Sequence, residues 1–182
     1  MSKKYIAVFL FSFVFVFSSQ IFSQTPKLPY KDVGACPFEC CTYQPWIANK
    51  DTIIYKQMRD GSPIAFRVKK REKVAGITGV VITTKAGIVK VLRNTTIDED
   101  NKIPVKGGET LYLLTYLGEG FYRTWYRGRY VTGVYYGNPD VRQISGPEGV
   151  WWVKIKNRKG QIGWTRLSEN FNNKDSCGYE GD

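Results

Sequence analysis

Short hydrophobic stretches, separated by turn residues, run through most of the chain. Each is five to eight residues long and rich in β-branched or aromatic residues, a pattern typical of strands. The predicted strands are 80–84, 88–92, 110–117, 121–126, 130–136, 151–155 and 162–167. Helical periodicity is scarce. Many short strands at close spacing indicate an all-β barrel or sandwich.

A short motif occurs twice, 37 residues apart, beginning at Val68 and at Val105. Both copies follow the pattern VKxxEx[VL]xx[IL]T and place a basic turn before an apolar strand. Such a match is expected of a duplicated barrel unit. Barrels of about 50 to 70 residues bury little surface alone. We therefore expect two tandem units in mutual contact, residues 46–100 and 103–171.

The first segment has the pattern of a secretory signal peptide. Lys3 and Lys4 precede a hydrophobic run over residues 5–17, which only Ser12 interrupts, and a short polar exit follows. Thirteen helical residues cover about 20 Å, less than the roughly 30 Å of a bilayer's hydrocarbon core. The sequence thus predicts a signal peptide over 1–24 and an exported protein, periplasmic or secreted, whose mature chain has no transmembrane segment.

Four cysteines follow this segment: Cys36, Cys40 and Cys41 in the cysteine-rich stretch 25–45, and Cys177 in the tail 172–182. An even number in an oxidising compartment predicts disulfides. Neighbouring side chains on an extended chain point opposite ways, so Cys40 and Cys41 are poor partners. Cys177 then joins one of them and closes a loop of about 135 residues, which the loop-entropy model values at about 4 to 5 kcal/mol. A four-thiolate metal site is the alternative, but the spacing lacks paired CxxC knuckles.

Composition bears mainly on chemistry. The 182 residues include 42% hydrophobic residues and carry a net charge of +11, an ordinary globular composition with a basic balance. The absence of histidine excludes nucleophile pairs that depend on it and metal sites that it ligates. Asp98, Glu99 and Asp100 are consecutive, which is typical of a polar linker rather than of an acid/base pair. We expect no enzyme, no metal and no cofactor.

Several segments near the C-terminus resemble a known family. Residues 151–155, WWVKI, and 160–164, GQIGW, resemble the bacterial SH3-like (SH3b) signature, a W-x-x-V strand followed by G-x-x-G-W. Residues 168–171, SENF, are similar to the short helical turn with an aromatic that closes SH3 barrels. Residues 106–111, KGGETL, are similar to the family's K-x-G-x-x-V opening. The resemblance implies small SH3-like barrels, stapled here by disulfides, and a module that binds cell-wall peptide or glycan.

Alternation along two strands suggests which side chains would bind. Trp152 shares one strand face with Lys154 and Lys156, whereas the opposite face is apolar. Such an aromatic and cationic face suits an anionic ligand, with Trp152 as the main aromatic contact. Trp164, after its tight turn, is expected to be partly core. The predicted ligand-binding residues are Trp152, Lys154, Lys156, Trp125, Arg123, Tyr122 and Phe171.

A basic run over residues 67–73 also invites a nucleic-acid interpretation. No nucleic-acid-binding motif accompanies it, and the chain is predicted to be exported, so we interpret the run as a solvated hairpin with weak affinity for polyanions. We expect no nucleic acid among the partners. Two other classes remain open, an envelope protein that binds or inhibits another protein and an enzyme with unrecognised chemistry.

Overall fold

The structure is a computed structural model that describes residues 25–43, 45–98, 102–134 and 137–177. The predicted signal peptide lies outside these residues, as do Glu99 and Asp100 of the predicted linker. The fold is all-β, with 57% of the described residues in strands, which confirms the predicted class. No helix within these ranges is long and apolar enough to span a membrane.

Fifteen strands are found in these ranges, numbered here in chain order. They are β1 (Tyr30–Val33), β2 (Pro45–Ala48), β3 (Thr52–Tyr55), β4 (Ile64–Val68), β5 (Lys73–Lys85), β6 (Gly87–Val91), β7 (Thr95–Ile97), β8 (Ile103–Val105), β9 (Thr110–Gly118), β10 (Phe121–Tyr126), β11 (Arg129–Val134), β12 (Val141–Ser145), β13 (Glu148–Lys156), β14 (Ile162–Thr165) and β15 (Phe171–Asn172). A 3-10 turn at Ser168–Asn170 precedes β15.

The strands from the two ends of the chain form one curled sheet, the outer sheet. Its order is β15-β2-β5-β13-β14-β3-β4, and β1 also pairs with β5. Its core is built around aromatic side chains: Trp46 and Phe171 are buried, with ring centroids 5.9 Å apart, and Trp151 packs against the same cluster. We call residues 30–85 and 148–172 together the outer unit.

The middle of the chain forms a second sheet, the inner sheet, with the order β12-β6-β9-β10-β11. The hairpin β7–β8 accompanies it, and a separate core of aliphatic side chains with Tyr126 fills this unit. We call residues 87–145 the inner unit. It lies entirely within the connection from β5 to β13, so one unit is inserted into the other.

Strand pairing does not follow the predicted boundary between residues 100 and 103. The strands β13, β14 and β15, predicted to belong to a unit over 103–171, pair with β5, β3 and β2 of the outer sheet. Strands that pair across an insertion are far apart in the sequence. Local sequence patterns therefore do not show which of them pair. The two segments that resemble an SH3b opening and an SH3b signature therefore belong to different units.

The internal repeat corresponds to a repeated turn. In the outer unit, Arg71 N–H donates to the Ala48 carbonyl at 2.7 Å and Ala48 N–H donates to the Glu72 carbonyl at 2.9 Å. The inner unit has the same two bonds between its own turn and the end of β6, at 2.8 and 3.0 Å. In both turns the glutamate side chain accepts from the backbone N–H three residues earlier, Glu72 from Lys69 at 2.9 Å and Glu109 from its counterpart at 2.7 Å.

The second glycine of the GQIGW segment has a packing reason. A Cβ at Gly163 would lie 2.6 Å from the Tyr55 carbonyl oxygen and 2.7 Å from a methyl group of Ile54. Only glycine lets β3 approach β14 this closely. The glycine of this motif therefore marks the place where β14 packs closely against β3.

Two disulfides join the cysteines. Cys36 pairs with Cys41, and Cys40 pairs with Cys177, 137 residues away. The prediction that Cys177 is tied to the N-terminal cluster is confirmed, and the four-thiolate alternative is wrong because the sulfurs are bonded to one another. The bridge fastens the tail to the segment before β2, where Ser176 N–H also donates to the Cys40 carbonyl at 2.9 Å.

Candidate anion-binding site

Two of the predicted ligand-binding residues lie in the interior. Trp152 is only 4% exposed and Phe171 only 1%. The side chains of Trp152 and its neighbour Val153 point to opposite faces of β13, and both are buried, so β13 is covered on both faces at this point. Alternating apolar and polar residues identify the exposed face of a strand only if that strand has one buried face and one face in solvent. The expectation that Trp152 is a surface contact is wrong.

Lys154 and Lys156 do lie at the surface of the outer unit. Lys154 is half-buried opposite Trp164 on β14, and its ammonium lies 5.5 Å from the centre of the indole ring. Lys156 is exposed at the end of β13. The cation contact at this surface is therefore with Trp164, the tryptophan that the sequence assigned partly to the core.

The other three predicted residues lie on β10 of the inner unit. Arg123 faces Asp32 of β1, with 3.7 Å between the guanidinium Nε and a carboxylate oxygen. Trp125 contacts Tyr130 edge-on at 4.9 Å between ring centroids. Tyr122 packs against the inner core. These side chains take part in contacts within the protein.

A cleft of about 510 Å³ opens elsewhere on the outer unit, between the turn that leads into β5 and the turn that joins β13 to β14. We call it the outer cleft. Its lining contains five cationic side chains and one carboxylate, from Glu72. The cations are Arg67, Arg71, Lys73, Arg158 and Lys159.

Local hydrogen bonds fix both turns. Asp51 accepts from the Lys70 N–H at 2.8 Å and from the Lys69 ammonium at 3.0 Å, and the first of these bonds is the main reason why its pKa is lowered. Across the cleft, Asn157 Oδ1 accepts from the N–H groups of Lys159 and Gln161, both at 3.0 Å. The backbone that carries the cations is thus ordered before any ligand arrives.

Arg71 occupies an unusual backbone position. Its φ is +72°, in the left-handed region, where a side chain costs about 1 kcal/mol. The equivalent position of the inner turn is Gly108, with φ +89°, which adopts this conformation without strain. A strained arginine where glycine would fit is a reason to look for a function.

Within the described part of the chain, none of the five cations of the outer cleft forms an ion pair with a carboxylate. Lys69 and Lys70, from the same basic run, instead contact Asp51 through the ammonium and the backbone N–H, respectively. The cations outnumber the one acidic group, so the cleft attracts anions.

The corresponding cleft of the inner unit, about 300 Å³, is neutralised from within. Glu109 accepts from the Arg127 guanidinium and from the Tyr126 hydroxyl, the latter at 2.7 Å. Burial alone would raise the pKa of Glu109, but the bonds from the Lys106 N–H, Tyr126 and Arg127 outweigh burial and lower it. Burial, followed by the bond to Glu109, raises the pKa of Tyr126 to about 12.

Sequence reasoning treated the basic run as a solvated hairpin and did not connect it with Arg158 and Lys159. One signal was present in the repeat, where the outer copy has Arg71 and the inner copy has Gly108. The proximity of the two turns depends on the pairing of β14 with β3, which a local pattern does not contain.

Comparison with protein-family models, curated proteins and solved structures finds no match for this chain. The class that the fold defines is an all-β, disulfide-bonded protein with one unit inserted in another. Its function has to be argued from its own geometry.

Proposed function

We propose that both units are SH3-like barrels. Strand order supports this proposal. In the outer unit β2 pairs with the last strand and flanks the meander β5-β13-β14, in the order β15-β2-β5-β13-β14. In the inner unit β6 has the same position, in the order β12-β6-β9-β10-β11. A hairpin and the repeated turn lie between β2 and β5 in the outer unit and between β6 and β9 in the inner unit. In the outer unit the 3-10 turn at Ser168–Asn170 precedes the last strand, as the sequence resemblance implies.

We further propose that the protein is an exported, non-catalytic binding module for an anionic ligand of the cell envelope, such as cell-wall peptide. The observation that carries this proposal is the outer cleft, with five cations and one carboxylate. Disulfides are typical of oxidising compartments outside the cytoplasm, which agrees with export. Arg67, Arg71 and Arg158 present planar forks that match paired oxygens of an anion.

Retention on purified peptidoglycan tests the function. The parent protein should be retained at low salt and, in part, at about 150 mM salt, where contacts between exposed charges are screened beyond about 8 Å. The double variant Arg158→Gln, Lys159→Gln should be released at lower salt. A matched control, Lys31→Gln with Arg142→Gln, removes two exposed charges outside the cleft and should behave like the parent.

Two results would count against the proposal. Absence of parent retention at every salt concentration excludes a wall ligand. Equal release of the cleft variant and the control shows that net charge, and not the outer cleft, causes the retention.

A further inference from the structure

We propose that the outer cleft binds the phosphate groups of a phosphate-bearing polymer, in preference to the carboxylates of a peptide. The inference rests on the proposed function, because it names the chemistry of the ligand at the same site. Three observations support the inference: the cations come from different sides of the cleft, Arg71 has a strained backbone, and the inner cleft differs in its charge.

The cations reach the cleft from separate elements. Arg67 lies on β4, Arg71 in the turn after it, and Arg158 in the turn on the opposite side. A carboxylate offers two oxygens in one plane, which one guanidinium fork satisfies. A tetrahedral phosphate offers oxygens in several directions and can accept forks from both turns at once.

The inner cleft shows how the same scaffold accommodates a carboxylate. There, one arginine, one tyrosine hydroxyl and the Lys106 N–H bind Glu109. In the outer cleft, five cations face a single carboxylate that is already bonded to the Lys69 N–H. One further carboxylate would leave most of this charge uncompensated, whereas successive phosphates of a polymer would compensate it.

The shape of the site and its one aromatic side chain narrow the class further. The five cations are exposed along a cleft of about 510 Å³, which can receive part of a flexible chain. Phe66 is the only aromatic residue in the lining, and it is 8% exposed. The cleft therefore offers no platform on which nucleobases could stack.

The test uses the complete mature protein and three defined probes: long-chain inorganic polyphosphate, poly-L-glutamate at equal charge concentration, and vesicles that contain phosphatidylglycerol. At about 150 mM salt we expect polyphosphate to bind about tenfold more tightly than poly-L-glutamate, the difference expected from about one additional charge-assisted bond. Equal affinity for the two polymers would overturn the preference for phosphate. Vesicle binding as tight as polyphosphate binding would overturn the assignment to a polymer.

Arg71→Gly separates binding from folding. The substitution relieves the left-handed strain at residue 71, so the melting temperature should be unchanged or a few degrees higher. Polyphosphate affinity should nevertheless fall about tenfold, and the slope of log affinity against log salt should decrease by about one. Arg142 is an exposed cation on β12, outside the cleft. The polyphosphate affinity of Arg142→Gln should stay within about twofold of the parent's, because this charge would not touch the bound polymer. If Arg71→Gly binds polyphosphate as tightly as the parent protein, the inference is wrong.

Peptidoglycan stripped of its phosphate polymers distinguishes this inference from the proposed function. Retention on the stripped wall without polyphosphate binding leaves the proposed function standing and refutes the phosphate preference. Failure of both assays refutes both.

Discussion

At the scale of single residues, Trp152, expected at the surface, is buried more deeply than Trp164, which was expected to be partly core. Trp152 is buried beside Val80, and Trp164 is half-buried beneath the Lys154 ammonium. Trp152→Ala should lower the free energy of unfolding by about 3 to 5 kcal/mol, because it leaves a large cavity. Trp164→Ala should cost less. Chemical denaturation of both variants checks the order, and a Trp152→Ala protein as stable as the parent would contradict it.

Glu109 predicts a pH effect that belongs to the same scale. Its pKa is lowered in the folded protein, so its bonds stabilise the fold at neutral pH. That contribution is present above its ordinary pKa of 4.5 and is lost as the pH falls through the lower folded value. Glu109→Gln should cost about 1 to 3 kcal/mol at pH 7.

The measurement is the free energy of unfolding of parent and Glu109→Gln between about pH 7 and pH 3. The gap between the two curves should narrow in acid. A gap that is constant over this range would show that the carboxylate charge contributes nothing.

At the scale of strands and turns, Gly163 allows β3 to lie against β14. Gly163→Ala should destabilise the protein by about 1 to 3 kcal/mol, since the added methyl group overlaps backbone and side-chain atoms. Gly146→Ala is the matched control, because its nearest neighbour, the Gln143 amide nitrogen, would be 3.8 Å away. Thermal melts of the two variants should differ clearly, and identical melts would contradict the packing argument.

The sequence predicts strands well where apolar runs are continuous. The prediction for β10 matches its observed bounds, and β5, β9 and β13 are longer than predicted. The strands β2, β3 and β4 escape notice because the apolar run that follows Pro45, Thr52 and Pro63 is in each case only three residues long. The burial of Trp152 and the formation of the outer cleft escape for another reason: both depend on which strands pair across the insertion, and no local pattern contains that information.

At the scale of the whole molecule, the two disulfides should contribute unequally. The loop-entropy model assigns about 5 kcal/mol to the Cys40–Cys177 bridge and about 2 kcal/mol to the Cys36–Cys41 bridge, because the first closes a far longer loop. Replacing Cys40 and Cys177 by serine should therefore lower the unfolding free energy more than replacing Cys36 and Cys41. Denaturant melts of both double variants check this order, and equal losses would contradict it.

Because one unit is inserted into the other, strand pairing and disulfide formation should follow a set order while the chain is synthesised from its N-terminus. The inner unit is continuous in sequence and its ends meet, with the Ile88 N–H donating to the Ser145 hydroxyl at 3.2 Å. All its strands are therefore available before β13 has been synthesised, and it can complete its pairing early. The outer sheet remains incomplete until β13 has been synthesised and can pair with β5. The native Cys40–Cys177 bridge can form only after Cys177 has been synthesised. We expect pulse-labelled protein to acquire the Cys36–Cys41 bridge first and the long bridge last.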